Sequence, residues 1–263
     1  MLHKLIQRLS GPSRRPAVTP APATQPDPAA AETWTGMAPG DAHYRAYVGP
    51  VDRFGPVSLL QMGLMTALGL TENDRVLDFG CGSLRLGRLL IPFLRPGLYY
   101  GIDPNLWLVD EGFGQEAGHD LRTLKAPVFS SDDGFSCDVF GTTFDFIMAQ
   151  SIITHSGADN TARFLASAAA ALEDDGIIML SYFRNLDDES LPGEPWTYPG
   201  CVSYPPAWLH AQCRQHGLIW RDIDWYHPGA AWAVIAKDAR RLPPAGAPLG
   251  VNGHPQPRWV AER

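Results

Sequence analysis

The chain has 263 residues, 45% of them hydrophobic, with a formal net charge of −7 at pH 7. That acidic balance argues against a nucleic-acid partner, which needs clustered lysine and arginine; the pairs Arg14-Arg15 and Arg240-Arg241 are too small a cluster. No apolar run reaches the roughly 20 residues of a membrane span, and the four cysteines, at 81, 137, 201 and 213, include no C-x-x-C pair, so reduced thiols in a cytoplasmic protein are the expectation.

The first nine residues are basic and amphipathic but lack the long apolar region of a signal peptide, so a frayed terminus is expected there. Residues 11–32 are rich in Pro, Ala and Thr and bury too little apolar surface to order themselves. The same holds from Pro243 to Pro257. The expected organisation is a disordered tail over 1–33, one α/β domain over 34–240 and a flexible tail over 241–263.

Arg75-Val76-Leu77-Asp78-Phe79 follows the turn-like Thr71-Glu72-Asn73-Asp74 and reads as a buried strand. Gly80 and Gly82 then let a ligand approach the main chain, and Ser83 is placed to cap a helix through Leu84, Leu86, Leu89 and Leu90. A Walker phosphate loop is excluded, because Arg88 stands where its lysine belongs and Leu89 where its hydroxyl residue belongs. A dinucleotide fingerprint is weakened by Arg85 at its third glycine. The remaining reading is a nucleoside without a pyrophosphate.

A second strand, Leu98 to Ile102, delivers Asp103 about twenty residues past the glycines, the spacing at which an acid grips ribose hydroxyls. A third, Pro127 to Ser130, ends in Ser131-Asp132-Asp133. A fourth, Phe144 to Ala149, ends in Gln150-Ser151 and runs on to His155. Each strand thus brings polar residues to its C-terminal end, where open α/β sheets bind ligands. Asp159 is placed to cap a helix through Phe164, Leu165, Ala168, Ala169 and Leu172, with Gly176 ending the turn behind it. Ile177 to Phe183 reads as a fifth strand. The stretch Arg184 to Tyr204 is long enough to suggest a lid. A helix from Pro205 to His216 spaces Cys201, His210, Cys213 and His216 so that they converge poorly, and no metal site is expected. Leu218 to Tyr226 and Ala231 to Lys237, joined by His227-Pro228-Gly229-Ala230, read as an antiparallel hairpin.

Over residues 41 to 237 the sequence resembles the class I methyltransferases that use S-adenosylmethionine. Leu77-Asp78-Phe79-Gly80-Cys81-Gly82 is similar to their first motif and Gly101-Ile102-Asp103-Pro104-Asn105 to their second. Ser131-Asp132-Asp133, Phe144-Asp145-Phe146-Ile147 and Leu172 to Leu180 resemble the motifs that follow. The commonest family pattern has a glycine where Leu84 stands. The run Gly80 to Arg88, with Tyr47-Val48-Gly49-Pro50 ahead of it, resembles a bacterial subgroup of small-molecule methyltransferases.

The resemblance implies a Rossmann-like α/β fold: a mostly parallel seven-stranded sheet with a C-terminal antiparallel hairpin and helices on both faces. It implies S-adenosylmethionine held by Asp78, Gly80, Cys81, Gly82, Arg85, Asp103, Pro104, Asn105, Asp132, Asp133, Gln150 and Ser151. Asp78 would order the glycine loop or meet the methionine amino group, and Asp103 would accept from both ribose hydroxyls. Asp132, in preference to Asp133, would accept from the adenine amino group. Arg85 is either the partner of the cofactor carboxylate or a surface charge. His155 is either the base that deprotonates the acceptor or a packing and capping residue. Two segments are expected to shape the acceptor pocket, one with Tyr44, Tyr47 and Phe54 and the other with Trp196, Tyr198 and Tyr204.

The implied partner is a small-molecule acceptor, with O-methylation of a natural product or sugar as the leading reaction; a homodimer is compatible with it. The alternatives are N- or C-methylation on the same fold, an NAD-dependent oxidoreductase, and a noncatalytic cofactor-binding scaffold.

Overall fold

A computed structural model describes residues 36–187, 189–246 and 249. The chain divides into a unit Met1–Gly36 and a unit Met37–Arg263. The expected 1–33 tail and most of the expected 241–263 tail lie outside the described residues.

Four short apolar runs become parallel strands: β1 Val76–Phe79, β2 Tyr99–Ile102, β3 Val128–Ser130 and β4 Phe144–Ala149. They are joined by β5 Leu172–Arg184, parallel to β4, and by an antiparallel pair, β7 Ile219–Ile223 and β8 Ala231–Ala236. The order across the sheet is β3-β2-β1-β4-β5-β8-β7, the expected seven strands, and a two-residue strand β6, Ser203–Tyr204, adds to the end of β5. All four residues of β1 are buried. That burial follows from its place between β2 and β4, with side chains alternating toward two covered faces.

On one face Val76, Phe146, Met148 and Met179 pack with Leu64 and Met65 of helix α1 (Phe54–Ala67) and Leu90 and Ile91 of α2 (Gly87–Phe93). On the other, Leu77, Ile147, Ile178 and Leu180 pack with Phe164 and Leu165 of α5 (Ala158–Ala171) and Leu209 and Cys213 of α6 (Pro206–Gln215). Helices α3 (Leu106–Gly112) and α4 (Asp120–Lys125) connect β2 to β3. The chain leaves β1 toward β2 on one side and returns to β4 on the other. The strand order reverses there, which opens a crevice at the C-terminal ends of β1 and β4.

Several local expectations are corrected. The helix after the glycines begins at Gly87, and Ser83 does not cap it. Leu84 takes a left-handed conformation (φ 59°), so residues 83–86 turn before the helix can start, and the buried Ser83 hydroxyl is left without a partner. Leu84 thus holds a left-handed backbone of the kind glycine adopts most readily. Helix α5 starts one residue before Asp159, with Gly157 in the capping position and no side-chain cap. β5 begins directly at Leu172, with a register shift against β4 in place of the expected turn around Gly176. The connection between β7 and β8 is longer than the four-residue turn expected, because β7 ends at Ile223. Within the expected 241–263 tail, Leu242 and Leu249 are buried in the core cluster that includes Leu64 and Met65 of α1.

Candidate active site

The crevice holds a cavity of about 640 Å³. Part of its wall is built from three strand ends. Gly80 (φ 77°) and Gly82 (φ 51°) follow β1, and a Cβ on Gly80 would lie 2.0 Å from Ile152 Cδ1, one on Gly82 2.6 Å from Val48 Cγ1. The amide of Gly82 donates to Asp103 Oδ2 at 3.0 Å and that of Asn105 to Oδ1 at 2.8 Å. Burial raises the Asp103 carboxyl above its usual range, and these two amides draw it back. After β3, Asp132 Oδ2 accepts from the Gly134 amide at 3.0 Å. Phe135, in a left-handed conformation (φ 57°), lines the same part of the wall. Asp132, half-buried, and Asp133, exposed, both line the cavity, as do Pro104 and Asn105.

Asp78 and Cys81 do not line it. Both sit beneath the loop, beside an adjoining cavity of about 20 Å³ shared with Gln61, Arg85 and Gln150. Asp78 accepts from the Tyr99 hydroxyl at 2.8 Å, and burial pushes its carboxyl up to about 7. Arg85 reaches both cavities and is not a surface charge: Nη1 donates to Val48 O at 3.0 Å and Nη2 to Gln150 Oε1. Burial pulls its guanidinium down to about 10. Its Nε and the Gln61 Oε1 are buried without partners, two unfilled positions beside the glycine loop.

Another part of the wall follows β4. Ser151, left-handed (φ 58°), is pinned by its amide to Ser181 Oγ at 2.8 Å, and the chain turns so that His155 lines the wall. His155 Nδ1 lies 2.6 Å from Gly200 O. A carbonyl only accepts, so Nδ1 carries the hydrogen and Nε2 of the neutral ring keeps its lone pair. No described group hydrogen-bonds Nε2. Burial lowers the pKa of this histidine, and Trp196 and Tyr198 pack their rings 5.8 and 4.9 Å from its own. The buried Thr154 hydroxyl, also on this wall, has no partner. Tyr198 donates to Tyr47 O and so joins the 184–204 segment to the stretch before α1.

Of the aromatics expected here, Tyr47, Trp196 and Tyr198 line the cavity. Tyr44, Phe54 and Tyr204 do not: they are buried, with Tyr204 OH donating to Ser156 O at 2.7 Å. The sequence reading missed His227, Arg53 and Gln61. His227 had a signal: β8 runs antiparallel to β5, which carries the turn before it to the C-terminal edge of the sheet. Gln61 had none, since its neighbours come from distant parts of the chain.

The family described as "Methyltransferase domain" matches residues 4–221. The chain belongs to that family. It is a class I S-adenosylmethionine-dependent methyltransferase, and the oxidoreductase and scaffold alternatives give way to an enzyme of methyl transfer. Solved structures share its fold. Magnesium protoporphyrin IX methyltransferase from Synechocystis, with bound S-adenosylmethionine, is 17% identical, with 69% of this chain and 81% of that one covered and a TM-score of 0.51. An O-methyltransferase family protein from Burkholderia thailandensis is 16% identical, with 74% and 60% covered and a TM-score of 0.50. No curated protein matches the methyltransferase by sequence. Among its described residues no helix is long and apolar enough to cross a membrane.

Proposed function

We propose that this methyltransferase O-methylates a small, partly aromatic molecule at a hydroxyl group, with His155 as general base. The observation that carries the reading is the tautomer of His155: Gly200 fixes the hydrogen on Nδ1, and Nε2 is left as a lone pair on the wall of the cavity that the glycine loop opens into. The residues present suit the cofactor, because Gly80 and Gly82 have no room for a Cβ and the orphaned Arg85 Nε lies beside them. Asp103 would take the ribose hydroxyls, with lone pairs to spare beyond its two amide contacts. Asp132 or Asp133 would accept from the adenine amino group beside Phe135. Pro104, Asn105 and Ser151 would complete the nucleoside wall. Arg85, held by Gln150, would meet the methionine carboxylate; Asp78 and Cys81 would act from below the loop.

When bound, S-adenosylmethionine supplies an activated methyl group, which the acceptor oxygen gains as S-adenosylhomocysteine is left. The protein's share is alignment, exclusion of water and removal of the hydroxyl proton to His155 Nε2. The segment Arg184 to Tyr204 acts as the lid over the acceptor. The test is transfer of labelled methyl from S-adenosylmethionine to a panel of hydroxylated small molecules and their amine counterparts. Methylation confined to the amines would overturn the reading.

A further inference from the structure

Beside Gln150 the same cavity carries a second set of polar groups, all of one kind. The His227 ring accepts at Nδ1 from the Ala230 amide, 2.9 Å away, so in the neutral ring Nε2 carries the hydrogen. That N–H lies 3.1 Å from Gln150 Nε2, which is itself a donor, because Gln150 Oε1 is taken by Arg85. One hydrogen of the Gln150 amide goes to Ser151 Oγ, and the other meets the imidazole N–H with no acceptor between them. Arg53 stands at the same mouth, exposed, and donates from Nη1 to Pro228 O at 3.0 Å. None of the described ion pairs involves Arg53. The carboxylates that line the cavity, Asp103, Asp132 and Asp133, lie at the ends of β2 and β3, on the nucleoside side.

Resting on the reading of this cavity as the acceptor site, we infer that the acceptor carries a carboxylate remote from the hydroxyl that is methylated, and that Arg53 with the Nε2–H of His227 binds it. A carboxylate oxygen supplies what the donors around Gln150 and His227 lack, and a guanidinium is suited to holding the group in two contacts. With Arg85 given to the methionine carboxylate, Arg53 supplies the positive charge, and with a neutral imidazole it matches a monoanion. His227 stays neutral in this role: burial, then Arg85 and Arg53, push it down to about 4.

The experiment is calorimetric binding to the full-length protein saturated with S-adenosylhomocysteine. The probes are para-hydroxybenzoate, para-hydroxyphenylacetate and para-coumarate, each paired with its primary amide. At least one acid should bind about tenfold or more tightly than its amide, the size of a charge-assisted hydrogen bond in a half-open site. Arg53→Gln, which keeps an N–H for Pro228, should remove that preference, while Arg53→Lys should retain most of it. S-adenosylhomocysteine affinity should be the same in both variants. Equal binding of acids and amides, no binding of any acid, or a preference that survives Arg53→Gln overturns the inference and leaves the methyltransferase site standing. Failure of S-adenosylhomocysteine itself to bind overturns both.

Discussion

The Gly82 amide donates to Asp103 Oδ2 at 3.0 Å, so the loop after β1 and the carboxylate after β2 are already joined in the protein alone. Asp103 therefore has two tasks, holding the loop and receiving the ribose. Asp103→Ala removes both, and S-adenosylhomocysteine affinity should fall by about 1–3 kcal/mol, the range for hydrogen bonds to a charged group. Asp103→Asn should cost less, because its one remaining oxygen can serve either the Gly82 or the Asn105 amide. Calorimetry showing wild-type affinity in both variants would place the ribose acid elsewhere.

The central strands were legible in the sequence because each is a short apolar run buried on both faces, and β4 has the predicted limits Phe144–Ala149. Helix α1 was not legible: Gly55, Pro56 and Gly63 interrupt it, and its apolar residues go round the cylinder without forming one stripe. Of the residues expected at strand ends, Asp103 directly follows β2, Asp132 comes two residues after β3 and His155 six after β4, and all three line the cavity. Aromatic composition could not separate Tyr47, which faces the cavity, from Tyr44, which is buried and donates to Glu116 at 2.9 Å. Nor could it show that Leu84 would hold a positive φ, which only the closed loop imposes.

Asp78 makes stability depend on pH. Its folded pKa is raised from 3.8 to about 7 by burial, with the Tyr99 hydrogen bond opposing. The protonated form is thus favoured in the fold, and its contribution is complete below the unfolded pKa and is lost as pH rises through about 7. Asp78→Asn keeps an oxygen for Tyr99 and cannot ionise. Without cofactor, its Tm at about pH 8 should exceed that of the wild type by about 2–4 °C, the shift produced by ~1 kcal/mol in a chain of this size. The difference should shrink toward acid. A Tm gap that does not change with pH would show that Asp78 does not titrate in this range.

The side chain of Glu116 is buried and is met by Arg45, Arg88 and the Tyr44 hydroxyl, with Arg88 Nη1 2.9 Å from Oε2. These contacts fasten the stretch that carries Tyr47 and Val48 to α2. Glu116→Ala leaves two arginines without their carboxylate. The cost should be about 2 kcal/mol, less than the ~3–5 of a fully buried pair because both arginines reach solvent. Denaturant unfolding would measure it. A variant as stable as the wild type would show that the segment is held by packing alone.

The last prediction separates the chemistry of His155 from its packing. Its Nδ1–H is bound to Gly200 O at 2.6 Å, and Asn has an amide nitrogen at nearly the same position. His155→Asn should therefore keep the hydrogen bond, the wall and cofactor affinity, while losing the lone pair at Nε2. If that lone pair removes the acceptor's proton, turnover on a hydroxyl acceptor should fall by roughly a hundredfold or more. The pH profile gives a second readout. Burial lowers the His155 pKa below its ordinary 6.5, so the base form is reached earlier than in a free imidazole. The wild-type rate should rise with pH on the acid side of 6.5 and be level by neutrality, and the variant should lack that rise. Near-normal turnover in a folded His155→Asn protein with intact cofactor binding would make the histidine a packing residue. Catalysis would then rest on alignment alone.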